Sequence, residues 1–114
     1  MTQSLLHGLR ILAVEQFGAG PFGTLHLADL GAEVIKIEDP REGGDSARTV
    51  PPYTGDHDSL YFQSFNRNKR SLTLDLKTPE GQTVLHDLVR VSDGLFNNLR
   101  ATSHRNWGCC TTSS

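Results

Sequence analysis

The 114-residue sequence has little of several residue types. Its two cysteines are adjacent, Cys109 and Cys110, which fits neither a zinc-site spacing nor a CxxC redox pair. Acidic residues outnumber Lys and Arg by 13 to 11, so no basic surface for nucleic acid is expected. No apolar run approaches the roughly 20 residues of a membrane span, and the first residues lack a secretory-signal pattern. We therefore predict no metal, no nucleic-acid or membrane partner, and a cytoplasmic location.

Residues 100–114 contain no Leu, Ile, Val, Phe, Asp or Glu, unlike the chain before them. Such a segment cannot contribute to a packed core. We predict one domain over residues 1–100 and a separate, disordered tail over residues 101–114. Hydrophobic residues make up only 36% of the chain, which is low for an independent globular unit and predicts an incomplete core.

Apolar runs and turn residues alternate before the tail. Four strands are predicted, at residues 10–14, 33–38, 71–76 and 93–98. Two helices are predicted, at residues 21–30 and 79–91. Residues 39–58 hold three of the five prolines and three glycines and are predicted as a long irregular loop. The order β-α-β, loop, β-α-β predicts an α/β fold with a Rossmann-like open parallel sheet.

Residues 18–23, GAGPFG, match the GxGxxG pattern between the first strand and the first helix. Glu38 follows about 20 residues later, at the end of the second predicted strand, as in dinucleotide-binding proteins. Three interpretations are open: a tight strand-to-helix turn, a site for a phosphate-bearing ligand, or an NAD site. The segment NRNKR, residues 66–70, suits either an anionic ligand or a solvated surface. No nucleophile and base can be paired from spacing alone.

Longer segments of the chain are familiar. LADLGAEVIKIE, NRNKRS, LDLKTPEG and the AGP of the glycine loop occur together and in register over residues 5–100. This combination resembles the N-terminal part of the family III CoA-transferases, a group with formyl-CoA transferase, carnitine CoA-transferases and α-methylacyl-CoA racemase. The resemblance implies the incomplete first part of that family's large α/β domain. It also implies CoA and acyl-CoA as substrates, with a carboxylic acid as second substrate and no permanently bound cofactor.

The resemblance also implies a set of CoA-contacting residues in three segments. They are Phe17, Gly18 and Ala19; Leu74, Asp75, Leu76 and Lys77; and Asn98, Leu99 and Arg100. An arginine that often follows the second strand in the family is not matched, because Asp39 and Pro40 stand there and Arg41 comes next. Backbone amides and cationic side chains suit the pyrophosphate and 3′-phosphate of CoA.

Family members transfer CoA through an aspartate that forms a mixed anhydride and takes part in a thioester relay. By the resemblance that aspartate falls beyond residue 114, so no catalytic residue is predicted in this chain. Family members are also interlocked homodimers. Two classes of function follow: a CoA-transferase in shortened form, inactive alone, or a non-catalytic CoA-binding or inert fragment. The NAD-binding half of an oxidoreductase is a more distant alternative.

The tail has a genetic explanation. Read one nucleotide earlier, the codons for residues 106–111 must give Leu, Gly, one of Leu, Met or Val, then Leu, then Tyr or His. This fits the family's continuation after an NNLR-like segment. We interpret residues 101–114 as the product of a frameshift, with a natural disordered tail as the alternative that composition leaves open.

Overall fold

The computed structural model describes residues 4–55 and 58–99. Six strands alternate with three helices along this part of the chain. The strands are β1 (Arg10–Val14), β2 (Glu33–Glu38), β3 (Tyr53–Thr54), β4 (Asp58–Ser59), β5 (Lys69–Thr73) and β6 (Gly94–Asn97). The helices are α1 (Ala19–Asp29), α2 (Leu60–Asn66) and α3 (Pro79–Arg90).

Four strands form one parallel sheet in the order β5-β2-β1-β6. Leu12 is paired with Ile35 of β2 on one side and Leu95 of β6 on the other. The chain moves outward from β1 to β2 and β5, then returns to the opposite side of β1. The predicted α/β fold with an open parallel sheet is confirmed.

Most predicted ends agree with the structure within one residue, but α1 begins at Ala19 instead of Pro21 and the third predicted strand is shifted. The strand expected at residues 71–76 runs from Lys69 to Thr73, because Asp75 turns the chain out of the sheet. Its carboxylate accepts the amide of Lys77 at 3.0 Å, and its carbonyl accepts the amide of Thr78 at 3.3 Å. Helix α2 was not predicted at all. Ser59 caps it by accepting the amide of Phe62 at 3.2 Å, but its seven residues are too few for a helical repeat to be recognised.

The long loop after β2 is more ordered than its composition predicts. It contains two 3-10 helices, Pro40–Glu42 and Ser46–Thr49, followed by the small β3-β4 hairpin. Asp39 and Asp45 cap the two 3-10 helices with their side chains.

The two faces of the sheet differ in chemistry. On the α3 face, Leu12, Val14, Ile37 and Leu85 form a buried apolar cluster. On the other face, small residues of α1 and β1, such as Ala28 and Ala13, pack closely. Further along that second face the apolar packing gives way to buried charged side chains, which lie near the carboxyl ends of the strands.

The first turn of α3, which starts in the TPEG segment of residues 78–81, depends on a glycine at position 81. A Cβ on Gly81 would collide with the backbone carbonyl of Asp75, and backbone atoms cannot rotate away as a side chain does. Gly23, also helical, would place its Cβ 3.9 Å from the Phe96 ring, an ordinary contact.

We expect Gly81→Ala to lower the free energy of unfolding by about 1–3 kcal/mol, because the turn must shift to relieve the overlap. Gly23→Ala is the matched control and should stabilise by up to about 1 kcal/mol through helix propensity. Urea unfolding followed by circular dichroism measures both. Equal stability of the two variants would contradict the close approach at Gly81.

Candidate functional site

A crevice of about 460 Å³ opens at the carboxyl ends of the parallel strands. Its walls come from the ends of β1 and β2, the loop after β2, the turn after β5 and the residues that follow β6. Because β6 lies on the opposite side of β1 from β2, the connections diverge there, which is where open α/β sheets bind ligands.

Five of the ten predicted CoA-contacting residues line this crevice. They are Leu74, Leu76, Lys77, Asn98 and Leu99. Asp75 lies between two of them and uses its carboxylate on the Lys77 amide and on Arg41, whose Nε is 3.4 Å away. Arg100 lies outside the described residues. The contact of these residues with CoA stays a prediction.

Phe17, Gly18 and Ala19 lie beside the crevice, in the connection from β1 to α1. Phe17 is half-exposed and has a positive φ of 72°, unusual for a residue with a side chain. Within residues 4–55 and 58–99, the amides of Gly18, Ala19 and Gly20 have no hydrogen-bond acceptor. These are the free donors of a helix N-terminus, which favour an anion.

Two of the three glycines in residues 18–23 are closely approached by side chains of the protein itself. A Cβ on Gly20 would lie 2.6 Å from Cγ of Asn98, and one on Gly18 would lie 3.0 Å from the Tyr61 hydroxyl. A tight turn is therefore enough to explain why residues 18 and 20 are glycines. It does not assign a role to the free amides.

Four buried charged side chains meet behind the crevice, and we call them the buried charge cluster: Glu15, Lys36, Asp45 and Lys69. Each side chain is at most 2% exposed. Lys36 Nζ lies 2.7 Å from Asp45 Oδ2 and 3.3 Å from Glu15 Oε2. Lys69 Nζ lies 2.8 Å from Glu15 Oε2, and burial lowers the pKa of Lys69 although Glu15 opposes the change. None of the sequence patterns described above predicts this cluster.

Glu38 is fully engaged by the protein. Its Oε1 accepts Arg48 Nη2 at 2.7 Å and the Ser71 hydroxyl at 2.8 Å. Its Oε2 accepts Arg48 Nε and the Asp45 amide, both at 2.8 Å. A carboxylate offers about four acceptor positions, and all are filled here. Glu38 is therefore not available to a nucleotide ribose, which removes the acidic residue that the NAD interpretation needs.

The cations of residues 66–70 serve the fold and do not line the crevice. Arg67 pairs with Asp29 at 2.8 Å, Lys69 is buried, and Arg70 lies 3.5 Å from Glu33. The solvated-surface interpretation is wrong for Lys69. Of the described residues, Lys77 is the lysine that lines the crevice, and its ammonium forms no ion pair with that part of the chain.

Two other types of site were searched for in residues 4–55 and 58–99. No group of three or more His, Cys, Asp or Glu side chains there could hold a metal ion. None of the helices in that part is long and apolar enough to cross a membrane.

The sheet and its crevice define an open α/β protein with a candidate ligand site at the carboxyl ends of its strands. The chain belongs to CoA-transferase family III, whose model matches residues 6–112. The match runs past the boundary that we predict at residue 100; that boundary lies outside the described residues and stays a prediction.

Similar proteins are consistent with this assignment. The chain is 43% identical over 93 residues to human succinyl-CoA:glutarate CoA-transferase, covering 82% of this chain and 21% of that protein. It is 44% identical over 108 residues to succinyl-CoA:mesaconate CoA-transferase of Haloarcula hispanica, covering 91% and 27%. A crystal structure of a CAIB/BAIF family protein from Brucella suis matches with a TM-score of 0.87 and 34% identity, covering 98% of this chain and 30% of that one. The chain thus spans roughly a quarter of its relatives' length.

Glu38 makes the stability of the folded chain depend measurably on pH. Burial alone would raise the pKa of Glu38, but hydrogen bonds from Arg48, Asp45 and Ser71 outweigh it and lower the pKa from 4.5 to about 2. The unfolded chain therefore takes up this proton at higher pH than the folded chain does. The stabilisation is complete above pH 4.5 and is lost as the pH falls toward about 2.

We expect Glu38→Gln to remove about 3 kcal/mol of this acid-dependent stability and to flatten the unfolding free energy between pH 5 and about pH 2. Glu42→Gln is the control, because Glu42 is exposed in the same loop. Urea unfolding at several pH values measures the effect. The same pH profile for Glu38→Gln and the wild type would show that Glu38 does not carry it.

Proposed function

We propose that this chain provides the CoA-binding part of a CoA-transferase, acting on an acyl-CoA and a carboxylic acid. The observation that carries the proposal is the combination of groups at and beside one crevice: free amides at the start of α1, the unpaired Lys77 and three leucines. CoA requires both kinds of surface. Its phosphates need donors and cations, and its pantetheine chain needs apolar walls.

The predicted residues divide between these tasks. Gly18, Ala19 and Lys77 would receive phosphate oxygens through their amides and ammonium, and Arg41 lies at the same rim. Leu74, Leu76 and Leu99 would line the pantetheine chain. Phe17, Asp75 and Asn98 shape the turns that hold these groups, and we assign Arg100 to the same site from the family resemblance.

The relatives indicate which acids to try first. They are named for succinyl-CoA with glutarate or mesaconate, and one from Acetobacter aceti is named for acetyl-CoA and oxalate. Glutarate, mesaconate and oxalate are all dicarboxylic acids. We therefore propose a dicarboxylic acid as the second substrate, with succinyl-CoA as the first acyl-CoA to test.

We propose that this chain alone performs no transfer. The reaction needs a carboxylate that can attack the thioester carbonyl. Of the carboxylates that line the crevice in residues 4–55 and 58–99, Glu15, Glu38 and Asp45 are buried in ion pairs or hydrogen bonds. Asp39 accepts the Arg41 amide and pairs with its guanidinium. Glu42, the fifth of these carboxylates, is exposed and forms no ion pair with the described residues, but the family resemblance implies an aspartate as the nucleophile. The nucleophile would be supplied by sequence outside these residues.

Titration calorimetry with CoA and, separately, NADH tests the binding proposal. We expect heat of binding with CoA and none with NADH. Lys77→Gln should weaken CoA binding about fivefold or more, which corresponds to about 1 kcal/mol from a lost charge-assisted contact. Arg90→Gln, an exposed cation at the far end of α3, is the control and should bind normally. NADH binding without CoA binding would restore the oxidoreductase alternative, and no binding of either would indicate an inert fragment.

The absence of transfer is tested with succinyl-CoA and isotope-labelled glutarate. We expect no label in the CoA thioester pool after incubation with this chain, because the aspartate that the family resemblance implies falls beyond residue 114 and four of the five carboxylates at the crevice are already paired. A relative of full length is the positive control. Label incorporation at a rate proportional to the chain's concentration would refute the assignment of the chemistry to sequence outside it.

A further inference from the structure

The connection from β1 to α1 has a conformation that needs external support. Phe17 lies in the left-handed region, with φ of 72°, where a side chain is disfavoured. Such a residue persists only where neighbouring groups fix it. Two side chains from distant parts of the chain fix this connection: Asn98 binds Gln16, and Asp45 binds Phe17.

Asn98 holds the first of these residues. Its Oδ1 accepts the Gln16 amide at 3.1 Å, and its Nδ2 donates to the Gln16 carbonyl at 3.2 Å. The missing side chain of Gly20 leaves room for Asn98.

Asp45 holds the second residue. Its Oδ1 accepts the Phe17 amide at 2.8 Å and also the Ala47 amide at 2.8 Å. Its Oδ2 lies 2.7 Å from Lys36 Nζ, and its own amide donates to Glu38 at 2.8 Å. Asp45 is 3% exposed. Its Oδ1 accepts two amides, and its Oδ2 lies in the ion pair with Lys36 without accepting a hydrogen bond, so several contacts hold Asp45 in place as the acceptor for Phe17.

These contacts determine which amides stay free. The amide of Gln16 donates to Asn98, the amide of Phe17 donates to Asp45, and Pro21 has no amide hydrogen. The three amides between them, those of Gly18, Ala19 and Gly20, remain as a run of donors at the start of α1. We propose that Asp45 is a positioning residue for CoA binding: it fixes Phe17 so that the next three amides are preset for a phosphate. This inference rests on the proposed function.

The wild-type chain gives the first test, without ligand. Amide exchange followed by NMR should be slow at Gln16 and Phe17 and fast at Gly18, Ala19 and Gly20. Addition of CoA should slow the latter three. Exchange at Phe17 as fast as at Gly18, in a chain that binds CoA, would overturn the positioning role alone. No CoA binding by the wild-type chain would overturn the proposed function, and with it the role given to Asp45.

A pair of charge-balanced double variants isolates the Asp45 contact. Lys36→Met/Asp45→Asn removes one charge of each sign and keeps an oxygen for the Phe17 amide. Lys36→Met/Asp45→Leu has the same charge and a similar side-chain shape but no acceptor. We expect the first to bind CoA within about threefold of the wild type and the second to bind at least about tenfold more weakly, with fast exchange at Phe17.

Thr24→Val is a further control. It removes a 2.7 Å hydrogen bond to Glu15 within the same buried region but leaves Phe17 untouched, so CoA affinity and exchange at Phe17 should not change. Equal CoA affinity of the Asn and Leu variants, with exchange at Phe17 fast only in the Leu variant, would show that the contact is structural and would overturn the proposal. Should neither double variant fold, the exchange pattern of the wild type decides.

Discussion

The buried charge cluster is the interaction on which the arrangement of this protein depends. Two lysines and two acids lie where water does not reach, and their formal charges cancel. Desolvating such groups costs several kcal/mol each, and only close pairing with further hydrogen bonds offsets that cost. Thr24, Asn66 and the Pro21 carbonyl supply those additional bonds. Loss of Lys36 would leave Asp45 without a partner and loss of Glu15 would leave Lys69 without one, and loss of any of the four would leave a buried net charge.

The cluster also sets geometry, because its members come from separate segments. Glu15 follows β1, Lys36 lies within β2, Asp45 is in the long loop and Lys69 begins β5. Hydrophobic contacts are tolerant of small displacements, whereas an ion pair with a hydrogen bond has a preferred distance and direction. The apolar face under α3 therefore provides most of the core, and the charged face determines where the loop after β2 lies relative to the sheet.

Much of the fold follows from local patterns in the sequence. RILAV and EVIKIE are short apolar runs of the kind that indicate strands. Thr78 with Pro79 marks the start of α3. The family segments also indicated part of the crevice, since five of the ten predicted residues are among the 14 that line it. The sequence does not predict helix α2, because seven residues give little helical periodicity. Its Ser59 cap is recognisable only in the folded loop.

The charge cluster escaped for a different reason. Strand alternation places Lys36 and Glu38 on the same face as Val34, and a strand covered on both faces must bury them. This alternation shows that Lys36 and Glu38 need polar partners, but it does not identify those partners. The partners lie 7 to 33 residues away from these two side chains, after β1, in a loop and in a neighbouring strand, and spacing cannot choose among 13 acids and 11 cations.

The contact between Gly20 and Asn98 links the two ends of the described chain. A Cβ at position 20 would lie 2.6 Å from Asn98 Cγ, although 78 residues separate them in sequence. The first β-α unit and the last strand are therefore not interchangeable modules. A chimera that takes residues 4–55 from one relative and residues 58–99 from another must inherit a compatible pair at 20 and 98, or the strand-to-helix connection will not close.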